Sequence, residues 1–241
     1  MWVPDALFSS ILIVLMASAL QSATGFGFSL LALPLLLLVH PSLVAVEINL
    51  IVSVVLCLVL VRTVHSQCDY RLVVRLMASS VLGAPLGLAL LLYVDERLFR
   101  IGIGVLILIF MGLLWWRLRF QRTPLRDSLA GLLAGVFTSA VGMGGIPLLV
   151  YFAGARTPKA VVRATAIVFF LFIYTLALIL QVMAASTGAS VWWLSLLLVP
   201  AALVGSRAGQ WLYARISQRT FTLIIWLILI GNSAFLLLSQ L

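Results

Sequence analysis

Charge is what this sequence lacks most. Only 9% of its 241 residues are Asp, Glu, Lys or Arg, against about 25% in soluble domains. Hydrophobic residues make up 64%, where roughly 45–50% is usual. A soluble fold cannot wrap that much apolar surface around so few charges. This excludes a cytosolic enzyme, a nucleic-acid module and a disordered chain. Cysteine is scarce too: Cys57 and Cys68 are neither a disulfide framework nor a metal set. Cys57 lies mid-span and reads as a small core residue. His-Glu-x-x-His and Gly-x-Ser-x-Gly are absent, and no nucleotide-binding loop precedes Lys159, the sole lysine. Asp5, Asp69, Asp95 and Asp127 fall at termini or loops, which excludes an intramembrane aspartyl pair and leaves Glu47 as the membrane-embedded acid. The chain is therefore expected to be no enzyme and to hold no metal or cofactor. The apolar runs do not alternate at period two, so a β-barrel is excluded. Met-Trp-Val-Pro-Asp carries no basic residue, so no cleaved signal peptide is expected.

What is present is a series of long apolar runs, the mark of an all-α polytopic membrane protein. With about 20 residues per crossing, spans are expected at 44–61, 73–94, 101–116, 164–184, 191–213 and 221–239. Two further stretches, 6–39 and 128–153, are broken by glycine at Gly25-Phe26-Gly27 and Gly142-Met143-Gly144-Gly145. The net charge of +9 comes from 15 basic residues clustered in short loops. That is the positive-inside pattern, not a nucleic-acid surface. If all eight stretches crossed, seven basic residues would lie on each side. If 128–153 enters and returns, one side holds 12, at 62–75, 117–126, 156–163 and 215–219, and the other keeps Arg97 and Arg100. The second arrangement fits the rule, which makes 128–153 a re-entrant hairpin of two half-helices.

An internal repeat supports the same reading for the first stretch. A shift of 117 lays Ser22-Ala23-Thr24-Gly25-Phe26-Gly27 on Ser139-Ala140-Val141-Gly142-Met143-Gly144, and Pro41 on Pro158. A shift of 122 lays Gly83-x-x-x-Gly87 on Gly205-x-x-x-Gly209, Arg97 on Arg219 and Phe99 on Phe221. The matching cores are 9–116 and 126–238, so the chain divides into repeats 1–120 and 121–241 within one transmembrane domain. One hairpin plus three spans crosses an odd number of times, so the second copy is inverted. Both termini then lie outside and the two tips meet near the midplane. Eight full spans in parallel repeats are the alternative.

Inverted repeats with broken helices are the architecture of secondary transporters. An unwound turn frees backbone N–H groups, and the half-helix beginning there points its positive end at the gap, which suits an anion. The candidate substrate-binding residues are Ser22, Thr24, Gly25, Phe26 and Gly27, then Ser139, Gly142, Met143, Gly144 and Gly145, with Thr138 beside them and Arg207 as counter-charge. Packing competes as an explanation of the glycines, and snorkelling as an explanation of Arg207. Glu47, Asn49, Arg163 and Thr165, at the starts of the spans after the hairpins, are candidates for gating or coupling, with structural pairing as the alternative. Glu47 would allow a proton as the coupling ion. The Gly83/Gly87 and Gly205/Gly209 pairs read as helix-packing sites, and Gln181, Gln210 and Asn232 as helix–helix glue.

Thr24-Gly25-Phe26-Gly27-Phe28 followed by Pro34 resembles the first hallmark of the TauE/SafE sulfite exporter family. Gly142-Met143-Gly144-Gly145-Ile146-Pro147 with Ala164-Thr165 resembles its second. Gly205-Ser206-Arg207-Ala208-Gly209 is similar to a late glycine-rich element of that family. Glu47-Ile48-Asn49 departs from its repeat counterpart Ala164-Thr165-Ala166, so the halves need not share a ligand equally. The resemblance implies a transporter of small sulfur-containing or organic anions: sulfite, sulfonates such as sulfoacetate, or thiosulfate. It would work in a bacterial-type cytoplasmic (inner) membrane, bathed in lipid, driven by a gradient and not by ATP. A passive anion channel and a structural or insertase-like subunit are the competing functions. Nothing in the sequence argues for an obligate dimer.

Overall fold

The computed structural model describes residues 4–95, 97–98, 101–102, 105, 109, 112, 121–155, 157–185 and 188–213. The described residues form helices joined by short loops, with no strand among them. They are α1 (Pro4–Thr24), α2 (Phe28–Leu36), α3 (Ser42–Val64), α4 (Tyr70–Tyr93), α5 (Pro124–Val141), α6 (Gly145–Gly154), α7 (Lys159–Ala185) and α8 (Ala189–Tyr213). Five of these, α1, α3, α4, α7 and α8, are long and apolar enough to cross a membrane by length and composition. The chain is an all-helical, polytopic membrane protein. The expected span 101–116 lies mostly outside the described residues, and 221–239 lies wholly outside them, as do Phe99, Arg219, Phe221 and Asn232.

Local chemistry sets where the helices start. The Asp69 carboxylate accepts the Leu72 amide at 3.1 Å and caps α4. Thr123 does the same for α5 through Arg126 N–H at 3.3 Å, followed by Pro124, whose missing N–H costs nothing at a first helical position. Both glycine clusters break the chain where expected. The arms, however, are unequal: 21 and 9 residues around the first break, 18 and 10 around the second. At 1.5 Å per residue the first arms run about 31 and 27 Å. Only the return arms, α2 and α6, have the expected half-length. The asymmetry follows from where the glycines lie, past the middle of 6–39 and of 128–153.

The most extensive contacts pair α4 with α5 and α1 with α8. Glycine makes both possible. A Cβ on Gly83 would lie 2.2 Å from Leu132 O, and one on Gly87 would lie 2.1 Å from Val136 O. Across the other pair, Gly205 would meet Leu15 O at 2.2 Å and Gly209 would meet Ala19 O at 2.1 Å. The sequence shifts of 117 and 122 relate these contacts one to one: Leu15 to Leu132, Ala19 to Val136, Gly83 to Gly205, Gly87 to Gly209. α3 packs on α7 at the centre. The buried core runs through it, from Ile48, Leu50, Leu56 and Leu60 to Ile167, Phe169, Phe170 and Ile173. Exposed apolar side chains such as Leu82, Leu86, Trp193, Leu196 and Val204 lie on the opposite faces of α4 and α8, as expected of surface that meets lipid tails.

Candidate functional site

The first break is held by a dense set of hydrogen bonds. Gly25 and Gly27 have φ of 83° and 110°, a region open to glycine and strained for other residues. Gly25 N–H bonds Gln21 O at 2.7 Å. The Thr24 hydroxyl sits between Leu20 O (2.8 Å) and Phe26 O and accepts the Phe26 amide at 3.1 Å. Gln21 Oε1 accepts the Phe28 amide at 3.1 Å, doing the work of an N-cap for α2 from inside α1. Arg163 Nη2 donates to Ser22 O at 2.8 Å, which places a cation on the negative end of α1. Its backbone presses against the turn, since a Cβ on Gly25 would fall 2.9 Å from Arg163 Cα. Ser22 Oγ donates to Ser206 Oγ at 2.8 Å, both buried.

The second break is built differently. Gly142, at φ 67°, donates to Thr138 O at 2.7 Å, and Met143 N–H bonds Phe137 O at 3.1 Å. Gly144 has no room for a side chain: a Cβ there would meet Thr138 Oγ1 at 1.9 Å and Ala134 O at 2.7 Å. Two amide side chains reach the last carbonyls of α5 and its cap. Asn49 Nδ2 lies 3.4 Å from Gly142 O, and Gln181 Nε2 lies 3.4 Å from Ser139 O. Ser139 and Met143 are fully buried.

Asn49 joins the two breaks. The same Nδ2 donates to Ser29 Oγ at 3.2 Å, in the first turn of α2, and Ser29 Oγ bonds Tyr174 OH at 3.0 Å. Aromatic rings close the other side. Phe170 sits 3.4 Å from where a Gly145 Cβ would be. It meets Phe26 edge-on at 6.1 Å and stacks on Tyr174 at 5.3 Å. Phe26 also contacts Phe152 of α6 at 6.1 Å. Both tips therefore share one buried wall, apolar on one side and polar along Ser29, Asn49 and Tyr174.

The remaining expected site residues fall elsewhere. Thr165 is buried at the start of α7, where its Oγ1 accepts the Asp69 amide at 3.1 Å; that contact ties α7 to the loop before α4. Arg207 is on the exposed side of α8, although its neighbour Ser206 reaches Ser22. Glu47 is buried in α3, two residues before Asn49. It is not the sole buried acid. Asp127, expected in a loop, lies in the first turn of α5 and is buried, bonded to Arg75 Nη1 at 2.9 Å and to the Tyr151 hydroxyl. A carboxylate is favoured at a helix N-terminus, and burial is tolerable because it is paired. Asp69 lies outside the membrane-spanning segments. Burial would raise its pKa, but the Leu72 amide and the Arg122 guanidinium, 3.0 Å away, outweigh that and hold it below the usual carboxylate range. Among the described residues no group of three or more His, Cys, Asp or Glu gathers as a metal site.

Gln21, Ser29, Tyr174 and Ser206 were not singled out from sequence. Ser29 had a signal, as the lone polar residue of Phe-Ser-Leu-Leu-Ala-Leu-Pro-Leu-Leu. So did Ser206, which lies inside the Gly205–Gly209 element.

No curated protein and no solved structure matches this chain. The family description "Sulfite exporter TauE/SafE" matches residues 10–236, which takes in both breaks and both glycine pairs and reaches into every described span. With nearly its whole length covered, the chain belongs to the TauE/SafE sulfite exporter family, a family of membrane anion transporters and not of enzymes.

Proposed function

We propose that the protein is a secondary transporter of small sulfur-containing or organic oxyanions, working by alternating access in a bacterial-type inner membrane. The observation that carries this reading is the convergence of both glycine breaks on one buried polar wall through Asn49, which bonds Ser29 beside one and Gly142 at the other. Two half-length return arms, α2 and α6, begin at those breaks with their positive ends. An anion between them would meet backbone N–H groups and hydroxyls, with the Arg163 charge behind the first break. The paired contacts of Gly83/Gly87 and Gly205/Gly209 support two inverted repeats, 1–120 and 121–241, that rock against each other. Proton coupling would rest on Glu47, a buried acid next to this wall.

The test is substrate-induced thermal stabilisation of the purified protein in detergent, with sulfite, sulfate, thiosulfate, sulfoacetate and taurine set against chloride. A ligand that binds only the folded state raises its melting temperature. The reading expects a rise with a sulfur oxyanion that is lost in Gly142→Leu and reduced in Ser139→Ala. No rise with any of them, or a rise that both variants keep, would overturn it.

A further inference from the structure

The two breaks are related in sequence, yet their polar atoms are satisfied to different degrees. At the first, the side-chain oxygens and the last carbonyl are paired: Thr24 with Leu20 and Phe26, Gln21 with Phe28, Ser22 with Ser206, and the Ser22 carbonyl with Arg163. At the second, three buried side-chain atoms have no hydrogen-bond partner among the described residues: Asn49 Oδ1, Ser139 Oγ and Gln181 Oε1. All three residues are fully buried. A buried polar atom without a partner costs roughly 1–3 kcal/mol, so three at one break point to something that binds there.

The difference has a cause in the sequence. Ser139 is the counterpart of Ser22, but the counterpart of Ser206 is Ala84, which has no hydroxyl to offer. The Ser22 carbonyl is capped by the Arg163 guanidinium, whereas the equivalent Ser139 carbonyl is capped by the Gln181 amide. The orientation of both amides is set by chemistry. Gly142 O and Ser139 O can only accept, so Asn49 Nδ2 and Gln181 Nε2 must face them. The oxygens Oδ1 and Oε1 are then left open, and an amide oxygen can only accept.

We infer that the second break alone makes the ligand's side-chain contacts, and that it selects an oxyanion carrying its own O–H or N–H donor. Ser139 Oγ–H donates to an anionic oxygen, while Asn49 Oδ1 and Gln181 Oε1 accept from the ligand's donor group. The first break positions the fold and supplies the Arg163 charge. This inference rests on the anion-transport reading above and narrows its substrate class.

The test is equilibrium binding to the full chain by isothermal titration calorimetry at one pH, using two probes of equal charge: ethanesulfonate and 2-hydroxyethanesulfonate. The hydroxylated probe should bind about tenfold more tightly, the worth of one net hydrogen bond. That one donor pairs with one of the two amide oxygens, so at least one of Gln181→Met and Asn49→Leu should bring the ratio towards one. Ser139→Ala should weaken both probes together, and Ser22→Ala should leave the ratio intact. Gln181→Met conserves volume and keeps the test open should Asn49→Leu fail to fold. Equal binding of the two probes by the wild type would overturn the inference while leaving anion binding in place. So would a ratio that survives both amide variants, since the open atoms would then pair within the protein. Binding of neither probe would overturn the inference, and the transport reading falls with it only if sulfite, thiosulfate and sulfoacetate also fail to bind in the same titration.

Discussion

Gly83 and Gly205 set how closely the hairpins approach α4 and α8, and that closeness has a measurable cost when disturbed. A Cβ on either would sit 2.2 Å from a backbone carbonyl oxygen, Leu132 O or Leu15 O. Backbone cannot swing aside as a flexible side chain can. Gly83→Ala must therefore open the α4–α5 contact from 2.2 Å to at least 3.0 Å. Overpacking of this kind costs about 1–3 kcal/mol. The better helix propensity of alanine offsets up to about 1 kcal/mol, leaving a net loss of roughly 0–3 kcal/mol, with the middle of that range at about 1–2 kcal/mol. For a chain of this size that is a fall in melting temperature of roughly 2–8 °C. Gly205→Ala should lose a similar amount at the α1–α8 contact. Gly102→Ala and Gly112→Ala are the controls, because a Cβ there meets nothing within 4 Å. The assay is thermal unfolding in detergent followed by tryptophan fluorescence. If Gly83→Ala and Gly205→Ala melt with the wild type while the controls do not differ from them, the close approach that pairs the helices is not there and the packing account fails.

Other outcomes follow from single contacts. Ser206→Ala and Ser22→Ala should each cost about 1 kcal/mol, and the double variant little more than either, because both remove one buried bond; a thermal double-mutant cycle reads this. Asp127→Leu should destabilise more than Asp127→Asn, since asparagine keeps an oxygen for the Tyr151 hydroxyl; the order of melting temperatures decides it. His40, in the loop after α2, bonds Ser10 at 2.9 Å, and burial lowers its pKa below the ordinary 6.5. Below that value the unfolded chain binds protons the folded one resists, so stability is full above about pH 6.5 and falls on acidification. His40→Gln should flatten the melting temperature between about pH 7 and 5, and an unchanged slope would remove His40 as the cause.

The spans were legible because bilayer thickness imposes long uninterrupted apolar runs. The expected 44–61, 73–94, 164–184 and 191–213 became Ser42–Val64, Tyr70–Tyr93, Lys159–Ala185 and Ala189–Tyr213. The breaks were legible because clustered glycine is rarely neutral within an apolar helix. Long-range pairing was not. Whether Ser22 meets Ser206, or Asn49 meets Ser29 and Gly142, depends on crossing angles and register that one-dimensional spacing does not encode. Asp127 misled because it sits between the basic cluster 117–126 and the apolar stretch that begins at 128, where a charged residue reads as loop; its partner Tyr151 is 24 residues away on another helix. Arg207 lies within the Gly205–Gly209 element, and position along the chain does not specify which side of α8 it occupies.

Exchange in proteoliposomes tests directly whether the helix breaks carry a transported anion. Wild-type protein and Gly142→Leu would be reconstituted side by side and loaded with radiolabelled sulfite. Gly142→Leu combines a strained φ of 67° with a Cβ only 2.3 Å from Asn49 Nδ2, so it disrupts the point where the breaks are joined. Unlabelled sulfite or a related sulfonate outside should accelerate release of label by the wild type, because a carrier returns faster loaded than empty, and Gly142→Leu should abolish this. Release indifferent to external substrate would identify a passive pore, and exchange undiminished in Gly142→Leu would place the ligand away from the helix breaks.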